Sequence, residues 1–183
     1  MDLPAGTPIR EGMDTGSVDF RKLFPTLSQH DLTGYLAVDI MTNNGIEEGI
    51  LLLNNGEVVA AEYIYVAKEI FVRGDGALPL VMNACVGEGR FDICELGADE
   101  LLYAREKNRE DVLKYKPTEK ELLALLPDTF TEKVPDQKTE AVIKPEKITK
   151  AGGVSREDVL KKYGISHPDA KSLDKMLTSV INS

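Results

Sequence analysis

Three apolar runs separated by Asn-Gly turns restrict the fold of this chain more than any other feature of its sequence. The first run, residues 35–41, alternates so that Leu36, Val38 and Ile40 fall on one side of an extended chain. A period of two predicts a β-strand with one buried face, because successive side chains of a strand point to opposite sides.

The second run covers residues 48–53 and the third covers residues 58–66. Residues 43–45 (Asn-Asn-Gly) and 54–57 (Asn-Asn-Gly-Glu) separate the three runs. Asn and Gly tolerate the positive φ that tight hairpin turns require. The region therefore reads as an antiparallel β-meander, and its nearly continuous apolar segments predict heavy burial.

Helical patterns flank the meander. Before the meander, residues 18–27 are predicted to form a short helix capped by Ser17. After it, the predicted elements are an apolar helix from Gly76 to Val86, a strand at 90–94 and a helix capped by Asp99. A last helix begins at the Thr118–Glu121 capping box and ends at Pro127. Residues 70–72 either end the sheet region or begin another element. The sequence thus predicts an α+β fold, an antiparallel β-meander packed with helices.

Composition divides the chain into four parts. Residues 1–17 are rich in Pro and Gly without an apolar period, which predicts a flexible leader, and residues 18–127 form the α+β domain. Residues 128–153 are rich in Lys, Glu, Thr and Pro, which predicts a flexible linker. Residues 154–183 are predicted to form a small two-helix C-terminal module.

The C-terminal module carries the clearest helical pattern. Ser155 is a predicted N-cap and Gly164 a predicted C-terminal stop. The second helix places five apolar residues on one face: Leu173, Met176, Leu177, Val180 and Ile181. Since two short helices cannot bury a core of their own, this stripe must dock on the main domain, on a second copy or on a partner. These five residues are the predicted partner-binding site, and a homodimer is one possible outcome.

Charge is distributed unevenly along the chain. Residues 1–130 hold 12 Lys and Arg against 23 Asp and Glu, whereas residues 131–183 hold 10 against 8. An acidic domain repels phosphate backbones, so nucleic acid is an improbable partner except through the Lys-bearing tail. The chain has no apolar stretch of membrane-spanning length and no signal-peptide pattern at its start, which predicts a cytoplasmic protein without a membrane partner.

Residue patterns typical of catalysis are missing from the sequence. His30 and His167 are the only histidines and have no metal-ligand spacing. Cys85 lies in the predicted apolar helix and Cys94 in a predicted strand, positions that favour buried, inert thiols. The glycine pairs around residues 74–76 and 87–89 lack a phosphate-binding pattern. We therefore predict no enzyme activity, no cofactor and no metal.

A family resemblance rests on three segments. They are residues 31–38 (DLTGYLAV), residues 49–61 (GILLLNNGEVVAA) and residues 89–93 (GRFDI). Together they resemble the PATAN domain, named for the N-terminal part of the PatA regulator, over about residues 18–126. The whole chain is also similar to archaeal proteins of unknown function that carry such a domain and a C-terminal LKKYGI segment, here residues 160–165. The resemblance implies a signalling or scaffolding module without catalysis.

These observations predict a non-catalytic adaptor or regulatory scaffold that binds a protein through the α+β domain, the C-terminal helix, or both. One alternative is a regulator that senses a small ligand in a pocket between the sheet and the helix of residues 76–86. A further alternative is a nucleic-acid-associated factor that acts through the Lys-bearing tail.

Overall fold

A computed structural model describes residues 1–133 of the chain. Residues 134–183, with most of the predicted linker and the whole predicted two-helix module, lie outside the described residues. In the described part, the sheet consists of β1 (Thr7–Asp14), β2 (Gly34–Thr42), β3 (Gly45–Asn54), β4 (Glu57–Tyr65), β5 (Ile70–Arg73) and β6 (Gly89–Glu95). The helices of the same part are α1 (Phe20–Gln29), α2 (Leu78–Ala84), α3 (Ala98–Lys107) and α4 (Glu119–Leu125).

The strands form one six-stranded sheet in the order β1-β6-β2-β3-β4-β5, and all neighbours are antiparallel. The predicted α+β class and the predicted meander of β2, β3 and β4 are confirmed. The turn between β3 and β4 has the backbone that its sequence predicts, with φ of 49° at Asn55 and 74° at Gly56. Two successive positive φ values match the right-handed twist of the strands that the turn joins.

The N-terminal caps of two helices differ from their predicted positions. Asp19, and not Ser17, caps α1, because its carboxylate accepts a hydrogen bond of 2.9 Å from the amide of Arg21. At α3 the N-cap is Gly97 instead of Asp99, and Glu100 accepts a hydrogen bond of 2.9 Å from the Gly97 amide. Glu100 therefore satisfies the amide of Gly97, although Gly97 has no side chain that could accept a hydrogen bond from the first turn of the helix.

The capping box of α4 is confirmed. Thr118 Oγ1 accepts a hydrogen bond of 3.3 Å from the amide of Glu121, and the Glu121 carboxylate accepts one of 2.8 Å from the amide of Thr118. The two residues satisfy each other's backbone donors at the start of the helix.

The prediction of a flexible leader over residues 1–17 is wrong for most of that range. Residues 7–14 are the edge strand β1, which pairs with β6 through two register shifts. Ahead of β1, the amide of Asp2 donates a hydrogen bond of 2.7 Å to Asn108, whose side chain donates one of 2.9 Å to the Asp2 carbonyl. Backbone pairing with β6 supplies the order that the weak apolar pattern did not indicate.

The predicted start of the linker at residue 128 is also wrong. Asp128 pairs with Arg21 at 2.8 Å, and Phe130 packs against the hydrophobic core. The amide of Thr131 donates a hydrogen bond of 3.0 Å to Asn83, and the Asn83 amide group donates one of 2.8 Å to the Thr131 carbonyl. The folded body therefore continues past Pro127 across the end of α2.

The two faces of the sheet are covered to different extents. One face carries the main core, which α1, α2 and α4 close. Packing is tight there, because a Cβ on Gly49 would lie 3.0 Å from Val81 Cγ1 of α2. The opposite face has a smaller core in which Leu52 and Ala60 of the sheet pack with Leu101 and Ala104 of α3. Beyond that smaller core, apolar side chains of the second face remain exposed.

Candidate interaction surface

We call the uncovered part of the second face the open face and define it by five apolar residues: Met41, Ile46, Ile64, Val66 and Phe71. Met41, Ile46 and Val66 are 67%, 47% and 45% exposed. The other two side chains are half-buried. Exposed apolar residues scattered singly are normal, but a contiguous group on one face indicates an interaction site.

Strand register brings these side chains together. Met41 of β2 pairs directly with Ile46 of β3, and Ile64 of β4 pairs with Phe71 of β5. Val66 follows Tyr65, the last residue of β4.

The alternation of strand side chains places this group on the second face. Tyr35 of β2 and Leu52 of β3 belong to the smaller core on that face. Met41 and Ile46 lie six residues from them, an even separation, and therefore point to the same side. Ile64 lies four residues from Ala60 of β4, which also belongs to the smaller core, so Ile64 points to the second face as well.

Two carboxylates lie beside the apolar side chains. Asp39 of β2 pairs directly with Glu48 of β3 on the same face. Partial burial raises the pKa of Glu48, and the Asp39 carboxylate raises it further, while the N-terminal amino group lowers it. Partial burial also raises the pKa of Asp39, with Asp92 adding to the effect. Arg90 of β6 is the direct partner of Asp39 on its other side, so the open face combines apolar contact area with two carboxylates and one cation.

The tip of the β2–β3 hairpin borders the open face and receives the end of the described chain. The side-chain amides of Asn43 and Asn44 donate hydrogen bonds of 2.8 Å and 2.6 Å to the carboxylate of Glu132. Lys68 donates a third hydrogen bond of 3.0 Å to Asn44. The last described residues therefore lie next to the strand ends that carry Met41 and Ile46.

A buried ionic cluster supports β5 at the other edge of this surface. Arg73 lies 3.3 Å from Glu62 and 3.3 Å from Asp111, both carboxylates being almost fully buried. The Arg73 guanidinium also pairs with Glu110, and the amino group of Met1 contacts Glu62. Burial raises the pKa of Asp111, an effect that the charge of Arg73 opposes. The arrangement has the form of a structural anchor, since each carboxylate has a cation beside it.

The groups that the sequence analysis considered for catalysis are not brought together. Cys85 and Cys94 are both buried, and burial raises the pKa of Cys85 above the usual range. His30 lies exposed at the end of α1, and His167 lies outside the described residues. Within residues 1–133, no group of three His, Cys, Asp or Glu side chains could hold a metal ion.

The ligand-sensing alternative places its pocket between the sheet and α2, where the structure has close packing. Val81 and Met82 are fully buried at that contact. A cleft of about 280 Å³ does border α2, but it lies at the C-terminal end of the helix, between residues 15–21, residues 85–87 and residues 126–128.

The predicted partner-binding residues of the tail, Leu173, Met176, Leu177, Val180 and Ile181, lie outside the described residues. The open face itself was not anticipated from the sequence, although Met41 lies out of phase with the buried positions of its strand. Across residues 1–133, no helix has the length and apolar character needed to cross a membrane.

Comparison with known proteins gives two matches. Residues 1–108, more than half of the chain, match the family described as uncharacterized protein conserved in archaea (DUF2226). An uncharacterized protein from Archaeoglobus fulgidus is 27% identical over 184 residues, an alignment that includes 100% of this chain and 64% of the relative. The chain therefore spans a little under two thirds of that relative's length. No solved structure matches the chain.

Proposed function

The chain belongs to the DUF2226 family of archaeal proteins, and on that premise we propose that it is a non-catalytic adaptor that binds another protein through the open face. The observation that carries the proposal is the exposure of Met41 and Ile46, which pair directly across β2 and β3 on the open face. A soluble domain gains no stability from such side chains, whereas an interface core requires them.

The chemistry of the open face indicates what kind of partner fits it. Apolar side chains at the strand ends offer area for a hydrophobic contact, and Asp39 and Glu48 place negative charge beside them. A partner with an apolar stripe flanked by Lys or Arg would match both features, since complementary charge directs association and selects the partner. An amphipathic helix has this form.

Two further features support the proposal. The resemblance of residues 31–38, 49–61 and 89–93 to the PATAN domain fits a signalling or scaffolding module. Both cysteines are buried and neither forms a disulfide, which supports a reducing compartment, and we propose a cytoplasmic location.

Comparative affinity capture from extracts of the source organism tests this proposal. Wild-type protein, Ile46→Asp and Leu125→Asp serve as baits, and quantitative mass spectrometry compares what they retain. Leu125 is the matched control, because it is also an exposed apolar residue but lies on α4, which packs on the opposite face of the sheet.

The proposal predicts a protein that wild type and Leu125→Asp retain and Ile46→Asp loses, since a charge inserted at an interface hot spot typically costs at least about 2 kcal/mol. Circular dichroism of the three baits checks that the variants are folded. Equal retention of every captured protein by all three folded baits would contradict the proposal.

A further inference from the structure

The open face has a candidate occupant within the chain itself. The predicted second helix of the tail carries an apolar stripe of five residues on one side, from Leu173 to Ile181. A helix this short is marginal in water by itself and needs a surface to pack on. The open face offers an apolar surface that the described part of the chain leaves exposed.

The end of the described chain lies in the right place for this contact. Thr131 is bonded to Asn83, and the next residue, Glu132, is bonded to Asn43 and Asn44 at the hairpin tip. The last described residues therefore lie at the hairpin tip, next to the strand ends that carry Met41 and Ile46, and they reach that tip from the α2 side of the sheet.

The dimensions also agree. A flexible linker of 20 residues, the length of the part of the predicted linker that covers residues 134–153, spans roughly 25 Å. The open face extends from β2 to β5, three strand spacings or roughly 15 Å. The stripe from Leu173 to Ile181 covers roughly 12 Å along a helix. The tail can thus reach the open face, and its stripe is about as long as the surface is wide.

Tethering favours the tail of the same chain over a second copy. A flexible tether of this length gives an effective concentration on the order of 1 mM, above the protein concentration of most experiments. Net charge acts in the same direction, because two copies of a chain with a net charge of −9 repel each other.

We propose that the apolar stripe of residues 173–181 docks on the open face of its own chain and occupies it until a partner displaces it. This inference rests on the proposed function, because it treats the open face as a docking surface and names its resident occupant. A partner segment with an apolar stripe of its own would compete for the same side chains.

Disulfide trapping in the full-length chain tests the contact. The reporter pair is Met41→Cys with Val180→Cys, and the control pair is Lys120→Cys with Val180→Cys. Lys120 is exposed on α4, on the opposite side of the sheet. Both pairs use the same tail position, Val180, so the same length of chain joins the tail cysteine to the folded part. The native thiols Cys85 and Cys94 are buried and do not compete under mild oxidation.

The proposal predicts an intramolecular disulfide in the reporter pair at least about tenfold faster than in the control pair, with a rate independent of protein concentration. Adding Leu177→Asp to the reporter pair should remove this advantage. Equal rates for the two pairs would overturn the proposal. A reporter disulfide that joins two chains, or an advantage that survives Leu177→Asp, would overturn it as well.

Two arrangements keep the result interpretable. If the reporter variant does not fold, Ile46→Cys replaces Met41→Cys, since the two residues are direct partners across β2 and β3. Disulfide trapping and affinity capture also test different proposals, so a negative result in one does not decide the other. Loss of capture by Ile46→Asp without trapping contradicts only the tail contact, whereas trapping together with equal capture by all baits contradicts only the adaptor function.

Discussion

The two faces of the sheet are built from the same strands and differ in what their apolar side chains do. On the covered face, Leu51 of β3 is fully buried under the helices, and Val81 packs so closely on Gly49 that a Cβ would not fit without a shift. On the open face, Ile46 of the same strand is 47% exposed. Burial of apolar area stabilises the first set, whereas the second contributes little to folding. The difference separates residues kept for stability from residues available for binding.

The largest expected effect comes from a matched pair of substitutions in β3. Leu51→Ala should lower the free energy of unfolding by about 2–5 kcal/mol, because it leaves a cavity in the covered core. Ile46→Ala should lower it by less than about 1 kcal/mol, since its side chain is half exposed. Chemical denaturation of both variants and wild type measures the two values.

Similar losses of unfolding free energy in the two β3 variants would contradict the proposed difference between the faces. A large loss for Ile46→Ala would mean that the fold of the sheet itself depends on the open face. Circular dichroism before denaturation verifies that each variant starts from the same fold.

The smallest effect is electrostatic and concerns the pH dependence of stability. The pKa of Glu48 is raised above its ordinary value of 4.5, so the folded state binds this proton more tightly than the unfolded state does. Ionised Glu48 therefore disfavours folding above its raised pKa, and the penalty disappears as the pH falls below 4.5. Glu48→Gln should stabilise the protein at pH 7 by no more than about 0.5 kcal/mol and have no effect near pH 3.

Glu121 provides a control of opposite sign for the pH experiment. Its hydrogen bonds with Thr118 lower the pKa of this exposed carboxyl, so its ionised form favours folding at neutral pH. Glu121→Gln should slightly destabilise the protein at pH 7 and have no effect well below the lowered pKa. Urea unfolding at both pH values measures each variant, and the same sign for the two at pH 7 would contradict the assignment.

Local sequence chemistry was sufficient to predict much of the sheet and the last helix. The alternation of residues 35–41, the positive φ at Gly56 and the capping box of Thr118 each depend on residues close together in the chain. Such features follow from backbone sterics and local hydrogen bonds, which a sequence displays directly.

Features that depend on long-range pairing were missed. β1 has Ile9 as its buried apolar residue, and its order comes from backbone hydrogen bonds to β6, about 80 residues further along the chain. The open face is a second case. Ile64 and Phe71 join Met41 and Ile46 on one face only when the register from β2 to β5 is known.

Photo-crosslinking from the open face tests the central claim most directly. A photoreactive amino acid replaces Ile46 in one variant and Leu125 in another, and each is irradiated in an extract of the source organism. The account predicts that position 46 crosslinks to another protein and that position 125 does not crosslink to that protein. Adducts confined to the chain itself, or equal adducts from both positions, would contradict an adaptor that binds through the open face.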